Sequence, residues 1–222
     1  MKHPAGEKVA VATLYRTNPE GPFFASWSSM MRQDLTGHAH WHGEQTVQAS
    51  RIVENRSIIC HQFLTSDILK PCTRLLMIDS DMSWDPDSIC RMLSVCHNNV
   101  DTQAGPEGVV KGGQLKVLGG LAFAGGLTGN MYPTLYERAE DGGPRPLCNL
   151  EAGDYPRDTL LKVHATGGAF LMVHREVLTA MAQPAPHGFG TEPRTGKPNP
   201  YPWFFDGVSG ADGRAYGEDI AF

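Results

Sequence analysis

Two carboxylates one residue apart, Asp79 and Asp81, close the run Arg74-Leu75-Leu76-Met77-Ile78-Asp79-Ser80-Asp81-Met82. Four apolar residues precede them, and a short continuous apolar run reads as a strand buried on both faces. Ligands of open α/β sheets bind outside the carboxyl ends of such strands. If the chain stays extended there, a period of two points both carboxylates the same way. Two anions held so close repel unless a cation sits between them, and a hard divalent ion with oxygen ligands is the usual solution. Asp79 and Asp81 are therefore the candidate metal ligands.

A nucleoside diphosphate is a natural ligand for such an ion, because the metal offsets its charge and acts as a Lewis acid on the leaving group. A nucleophile must then lose its proton on the far side of the reacting carbon. Glu218 or Asp219, in the late acidic turn, is the candidate general base. Gly167-Gly168 would let the backbone approach a bound sugar, and Trp203 and Phe204 would stack on an acceptor. Each has a plainer alternative. Glu218-Asp219 could be an acid pair at a helix N-terminus, and Gly167-Gly168 only a tight turn. Trp203, Phe204 and Tyr15 could be packing residues. His38, His40 and His42 would share one face of a strand and could hold a transition metal. A solvated loop or short edge strand that carries these His residues by chance is the favoured reading.

Elements must position these groups. Lys8 to Leu14 reads as a first strand, ending in the loop Tyr15-Arg16-Thr17-Asn18-Pro19. Phe23 to Leu35 reads as a helix. Glu44 to Leu64 reads as another, with Ala49, Ile52, Val53, Ile59, Cys60 and Phe63 at helical spacing. Arg56 falls within that apolar stripe, where a charge is costly unless paired. It could snorkel to the rim, pair with a structural acid, or reach the acidic strand end or a ligand phosphate. After the acidic strand, Asp85 suits an N-cap and Pro86 the first helical position. Ile89, Met92, Leu93 and Cys96 follow at i, i+3, i+4, i+7, completing a βα unit. Strands are expected at Lys116–Phe123, Tyr132–Glu137, Leu160–His164 and Phe170–His174, with a loop over Ala139–Pro156 and a turn at Ala165–Ala169. Glu176 to Ala182 reads as a short helix. Pro184 to Pro202 is a long Pro/Gly loop of the kind that is functional or disordered.

The chain has 222 residues, 41% hydrophobic and 19% charged, which suits one globular domain. A formal net charge of -5 disfavours duplex nucleic acid as the main partner. Cys60, Cys72, Cys90, Cys96 and Cys148 form no CxxC pair, and Met1-Lys2-His3-Pro4 runs into polar residues rather than a signal-peptide core. Free thiols in a reducing cytosol follow, so a cytoplasmic protein is expected. No apolar run approaches the roughly 20 residues that span a bilayer. A soluble chain is expected, able still to work at a membrane surface.

Taken together, these stretches resemble a GT-A glycosyltransferase, similar to bacterial and phage members of the family-2-like group. The matching residues are Thr13-Leu14-Tyr15-Arg16, Arg56 followed by Ile58-Ile59 and Phe63-Leu64, and the DxD Asp79-Ser80-Asp81. The glycine turn Thr166-Gly167-Gly168-Ala169-Phe170 and the xED Gly217-Glu218-Asp219 complete the set. They come in the family's order and cover nearly the whole chain. A DxD alone is weak, and the ordered set is fairly specific.

The resemblance implies one Rossmann-like α/β/α sandwich over residues 1–222, with a central, mostly parallel sheet. It implies a transferase that uses a nucleoside-diphosphate sugar, UDP-sugar favoured, with Mn²⁺ or Mg²⁺. Carried over by residue, Thr13, Tyr15 and Arg16 would contact the nucleotide. Arg56, Ser80, Gly167 and Gly168 would line the donor site. Asp79 would lie near the ribose or the metal, and Asp81 would be the firmest metal ligand. Asp219 would be the base of an inverting enzyme, with Glu218 beside it. Such folds often take a further metal ligand, commonly a His, from beyond the xED helix. This sequence ends three residues after Asp219, as if cut short, so His164, His187 or water would substitute. The acceptor stays open: a glycan, a lipid-linked sugar, a protein side chain or a modified nucleobase. A sugar-nucleotide-binding or interaction module without turnover is the main alternative. A haloacid-dehalogenase-like phosphatase is a lesser one, since that family carries its DxD on the first strand. A P-loop NTPase is excluded, because no GxxxxGK[ST] occurs.

Overall fold

The structure, a computed structural model, describes residues 7–15, 21–37, 41–48, 52–97, 115–125, 131–140, 143–147, 160–184, 190, 196–199, 202–204, 208–209 and 215–216. In chain order the elements are β1 (Val9–Tyr15), α1 (Gly21–Gly37), β2 (Trp41–Gln48), α2 (Ile52–Thr65), β3 (Arg74–Asp79) and α3 (Ser88–His97). Then follow β4 (Val117–Gly119), β5 (Phe123–Gly125), β6 (Met131–Pro133), β7 (Leu135–Arg138), β8 (Pro144–Pro146) and β9 (Ala165–Thr166). The last are β10 (Phe170–His174), α4 (Arg175–Met181), β11 (Val208–Ser209) and β12 (Ala215–Tyr216). The protein is a mixed α/β fold.

The main sheet has the order β2-β1-β3-β10-β4. β1 pairs in parallel with β2 and with β3. β10 is antiparallel to both β3 and β4. The expected mostly parallel sheet is not found: only β2-β1-β3 is parallel, and the whole sheet is mixed. The reason is local: β10 starts from the glycine turn at the carboxyl edge of β3, with Phe170 opposite Ile78, and so runs back along it. Smaller antiparallel sheets are β5-β6, β8-β7-β9 and β11-β12.

Strand alternation splits the core in two. Ala10, Ala12 and Leu14 of β1, Leu75 and Met77 of β3, and Leu171 and Val173 of β10 pack with α2 and α4 residues such as Ile59, Phe63 and Leu178. The intervening residues Val9, Val11, Leu76, Ile78, Phe170 and Met172 pack with Phe23 and Met30 of α1 and Ile89, Met92, Leu93 and Cys96 of α3. Helices thus cover both faces of the sheet. That explains why β1 and β3 read as unbroken apolar runs rather than alternating ones.

Several boundaries differ from expectation. The helix expected over Glu44–Leu64 begins only at Ile52, and Glu44–Gln48 belong to β2. The free edge of β1 supplies backbone donors and acceptors that need partners, and this segment meets them, with Glu44 opposite Val11 and Val47 opposite Leu14. The strand expected over Lys116–Phe123 is two strands. Gly120 donates to the Phe170 carbonyl at 2.8 Å, and the chain then leaves the main sheet to pair β5 with β6. Leu160–His164 is not a regular strand. The short β9 follows it, and the His164 N–H meets the Tyr136 carbonyl at 2.8 Å. The loop expected over Ala139–Pro156 contains β8, paired with β7. The element after Asp85 begins as turn, and α3 starts at Ser88, whose N–H meets the Asp85 carbonyl at 3.1 Å. His38, His40, Cys148 and most of the long Pro/Gly loop lie outside the described residues. No helix among the described residues is long and apolar enough to cross a membrane.

Candidate functional site

The site is built outward from β3. Because Leu75 and Met77 face α2, the period of two puts Asp79 in the same row. Arg56 of α2 meets it there. Its Nη2 lies 3.0 Å from Asp79 Oδ2 and 3.3 Å from Oδ1. The Arg56 side chain is fully buried and that of Asp79 is 19% exposed. The Arg56 guanidinium carbon also lies 5.7 Å from the centroid of the Phe204 ring. Arg56 does not snorkel to the rim; it pairs with an acid, and that acid is Asp79 at the strand end.

The extended geometry assumed for the two carboxylates does not hold. The Met82 N–H returns to the Asp79 carbonyl at 3.1 Å, closing a turn over Ser80 and Asp81. Extension ends at Asp79, so the period of two does not reach Asp81. The carboxylates are unlike: Asp79 is ion-paired and mostly covered, and Asp81 is exposed. Ser80 is half-buried, and its N–H donates to the Leu14 carbonyl at 3.1 Å. The Asp79 N–H donates to the Ala169 carbonyl at 2.9 Å. Two backbone bonds thus gather the end of β1, the DxD turn and the glycine turn.

Other predicted residues divide sharply. Gly167 and Gly168 are buried. A Cβ at Gly167 would lie 2.7 Å from the Cβ and Oγ1 of Thr134, and the Gly167 N–H bonds the Thr134 carbonyl at 2.8 Å. The packing of Thr134 therefore already demands glycine there, without a sugar. Thr13 is 0% exposed, so its side chain offers no surface to a nucleotide, contrary to expectation. Trp203 and Phe204 do not form an acceptor platform. Both are buried in the α2/α4 core, and Trp203 Nε1 donates to the Leu178 carbonyl at 2.8 Å. An indole whose polar edge is satisfied inside is a core residue. His164 is exposed. Arg16, His187, Glu218, Asp219 and the Tyr15 side chain lie outside the described residues.

Sequence reasoning missed the aromatic group that braces this edge. The Trp84 N–H donates to Ser26 Oγ at 3.1 Å and its Nε1 approaches Met30 Sδ at 3.2 Å. Its ring centroid is 5.2 Å from that of Phe23 and 5.7 Å from that of Phe170. Trp27 stacks on Phe23 at 6.1 Å. The signal was available as two aromatics at i, i+4 in α1 and a tryptophan three residues past Asp81. Only the fold joins them.

Chemistry at the site is set by charge. Burial pushes the Cys60 thiol far above its ordinary range, against the opposing pull of Arg56, so it is a neutral packing group rather than a nucleophile. Among the described residues, no three His, Cys, Asp or Glu side chains gather as a metal cage. Mg²⁺-type ions are commonly held by one or two carboxylates together with substrate phosphates. The exposed Asp81 beside the covered Asp79 fits that mode and not a resident cage.

No family model matches the chain, and no curated protein matches it. Among solved structures it is similar to one titled "Crystal Structure of A197 from STIV", with 14% sequence identity and a TM-score of 0.45, over 80% of this chain and 70% of that chain. A likeness so distant says nothing about activity.

Proposed function

We propose that the chain is a metal-dependent GT-A-type glycosyltransferase, moving a sugar from a nucleoside-diphosphate sugar, UDP-sugar favoured, to an acceptor hydroxyl. The observation that carries this is the meeting of three distant segments at one sheet edge. Leu14, the Asp79-Ser80-Asp81 turn and the glycine turn at Ala169 are joined by hydrogen bonds of 3.1 and 2.9 Å. That edge lies at the carboxyl ends of parallel β1 and β3, where open α/β sheets bind ligands.

In this reading Asp81, with Asp79 behind it, would hold a divalent cation shared with the diphosphate. When bound, the cation offsets the diphosphate charge and stabilises the leaving group. Ser80 and the backbone of the glycine turn would line the donor. Asp219, with Glu218 beside it, would take the proton from the acceptor hydroxyl as general base, giving inversion. A phosphatase reading is weaker. It requires Asp79 as a nucleophile, and an ion pair with Arg56 lowers the nucleophilicity of that carboxylate.

The test is thermal unfolding with a panel of nucleoside diphosphates, each with and without Mn²⁺. A ligand that binds only the folded state at a hundred-fold excess over Kd adds about 2.7 kcal/mol. One nucleotide should raise the Tm only with Mn²⁺, and Asp81→Ala should abolish the rise. A folded protein that responds to none of them would sink the transferase reading. Binding without turnover, unchanged in Asp219→Ala, would leave a nucleotide-binding module.

A further inference from the structure

We infer that Arg56 prevents the acidic strand end from binding a divalent cation by itself, so that the cation enters only with the phosphates of the nucleotide. This deepens the donor-site reading above and rests on it for the identity of the phosphates. The geometry is specific. Arg56 Nη2 lies within 3.3 Å of both Asp79 oxygens, and the Arg56 side chain is 0% exposed. The guanidinium is buried beside the Phe204 ring and carries a fixed positive charge. A cation on Asp79 would have to settle beside that fixed positive charge, and like charges at such range repel strongly where water is scarce.

Asp81 is then the carboxylate left to the ion, exposed and beyond the turn that ends β3. A single exposed carboxylate does not strip water from Mg²⁺ or Mn²⁺, whereas a carboxylate plus phosphate oxygens does. A diphosphate adds both oxygens and negative charge, and its charge also offsets Arg56. Arg56 is thus a positioning residue that sets the order of binding. By linkage, the nucleotide must tighten the cation by the same factor as the cation tightens the nucleotide.

The test is Mn²⁺ titration of the full chain followed by electron paramagnetic resonance, with and without UDP. The wild-type protein should bind Mn²⁺ weakly alone and about tenfold tighter or more with UDP. Arg56→Met, without nucleotide, should bind Mn²⁺ about tenfold tighter than wild type, and adding Asp81→Asn should remove the gain. Two results would overturn the inference: wild-type protein that binds UDP yet holds Mn²⁺ no tighter with it than alone, or folded Arg56→Met binding Mn²⁺ no tighter than wild type. Should Arg56→Met fail to fold, Arg56→Gln carries the test, because its amide can still donate to Asp79 while the positive charge is removed. Its nucleotide-free Mn²⁺ affinity should exceed that of wild type by about tenfold, and folded Arg56→Gln binding Mn²⁺ no tighter than wild type would overturn the inference. The donor-site reading fails separately. A gain in Arg56→Met when UDP binds to none of the proteins would support the block by Arg56 while removing the nucleotide.

Discussion

Arg74 Nε donates to Glu7 Oε1 at 2.8 Å, with the two side chains 0% and 7% exposed. The pair sits at the first residue of β3, as Arg56–Asp79 sits at its last. Glu7 Oε1 also accepts from Thr73 Oγ1 at 2.8 Å, and Glu7 Oε2 meets His97 Nε2 at the end of α3. Arg74 Nη1 donates to the Leu115 carbonyl at 2.8 Å. One buried carboxylate therefore ties the lead-in to β1, the start of β3 and the end of α3, and Arg74 adds the lead-in to β4.

Removing one partner leaves an uncompensated buried charge. Glu7→Gln or Arg74→Met should each lower unfolding free energy by about 3–5 kcal/mol. The double variant Glu7→Gln/Arg74→Met should cost less than the sum, because no lone charge remains. Urea denaturation of the four proteins measures the cycle. Additive losses would mean that the two side chains do not stabilise each other.

Gly167→Ala should lower stability by about 1–3 kcal/mol without any ligand, since its Cβ meets Thr134. Combining it with Thr134→Gly should recover part of the loss. Thermal unfolding of the ligand-free protein decides it. A Gly167→Ala protein as stable as wild type would return this glycine to a purely ligand-facing role.

Trp203→Phe keeps most of the buried area and loses the bond to the Leu178 carbonyl, so it should cost about 1 kcal/mol. Trp203→Ala should cost about 3–5 kcal/mol. If the proposed transfer occurs, neither should change its dependence on acceptor concentration once the protein is folded. A rise in acceptor KM for Trp203→Phe with no loss of stability would restore the stacking role.

His174 links stability to pH. Burial, with Arg74 next, holds its pKa below the ordinary value against the opposing pull of Glu176 and Glu7. Its Nδ1 accepts from the Glu176 N–H at 3.3 Å as the cap of α4, which requires the neutral ring. A histidine whose folded pKa is depressed gives stability that is present above its unfolded pKa of about 6.5 and lost as pH falls through that value toward the folded one. Unfolding free energy should therefore drop between about pH 7 and pH 5, and His174→Asn, which retains a cap acceptor, should drop less. Equal slopes in the two proteins would remove His174 as the cause.

That the cysteines form no CxxC pair was legible from spacing alone, and Cys60, Cys72, Cys90 and Cys96 are buried thiols. So were β1, β3, β10 and the α3 stripe, because an unbroken apolar run or a 3.6-residue stripe states burial directly. The placement of Asp79 at a strand end was fixed by the same run. What sequence could not decide were matters of pairing. Glu44–Gln48 joined the edge of β1 rather than α2, because unmet backbone groups on a neighbouring strand outweigh weak local helix preference. Trp203 is as aromatic in a core as on a platform, and only the Leu178 carbonyl 25 residues away shows which it is. Arg56 carried a charge on an apolar stripe, a sign that a partner existed. That the partner is Asp79, 23 residues on, and that the turn after it separates Asp79 from Asp81, depended on packing α2 against β3. Local pattern determines which residues are buried, and tertiary packing determines what each buried charge meets.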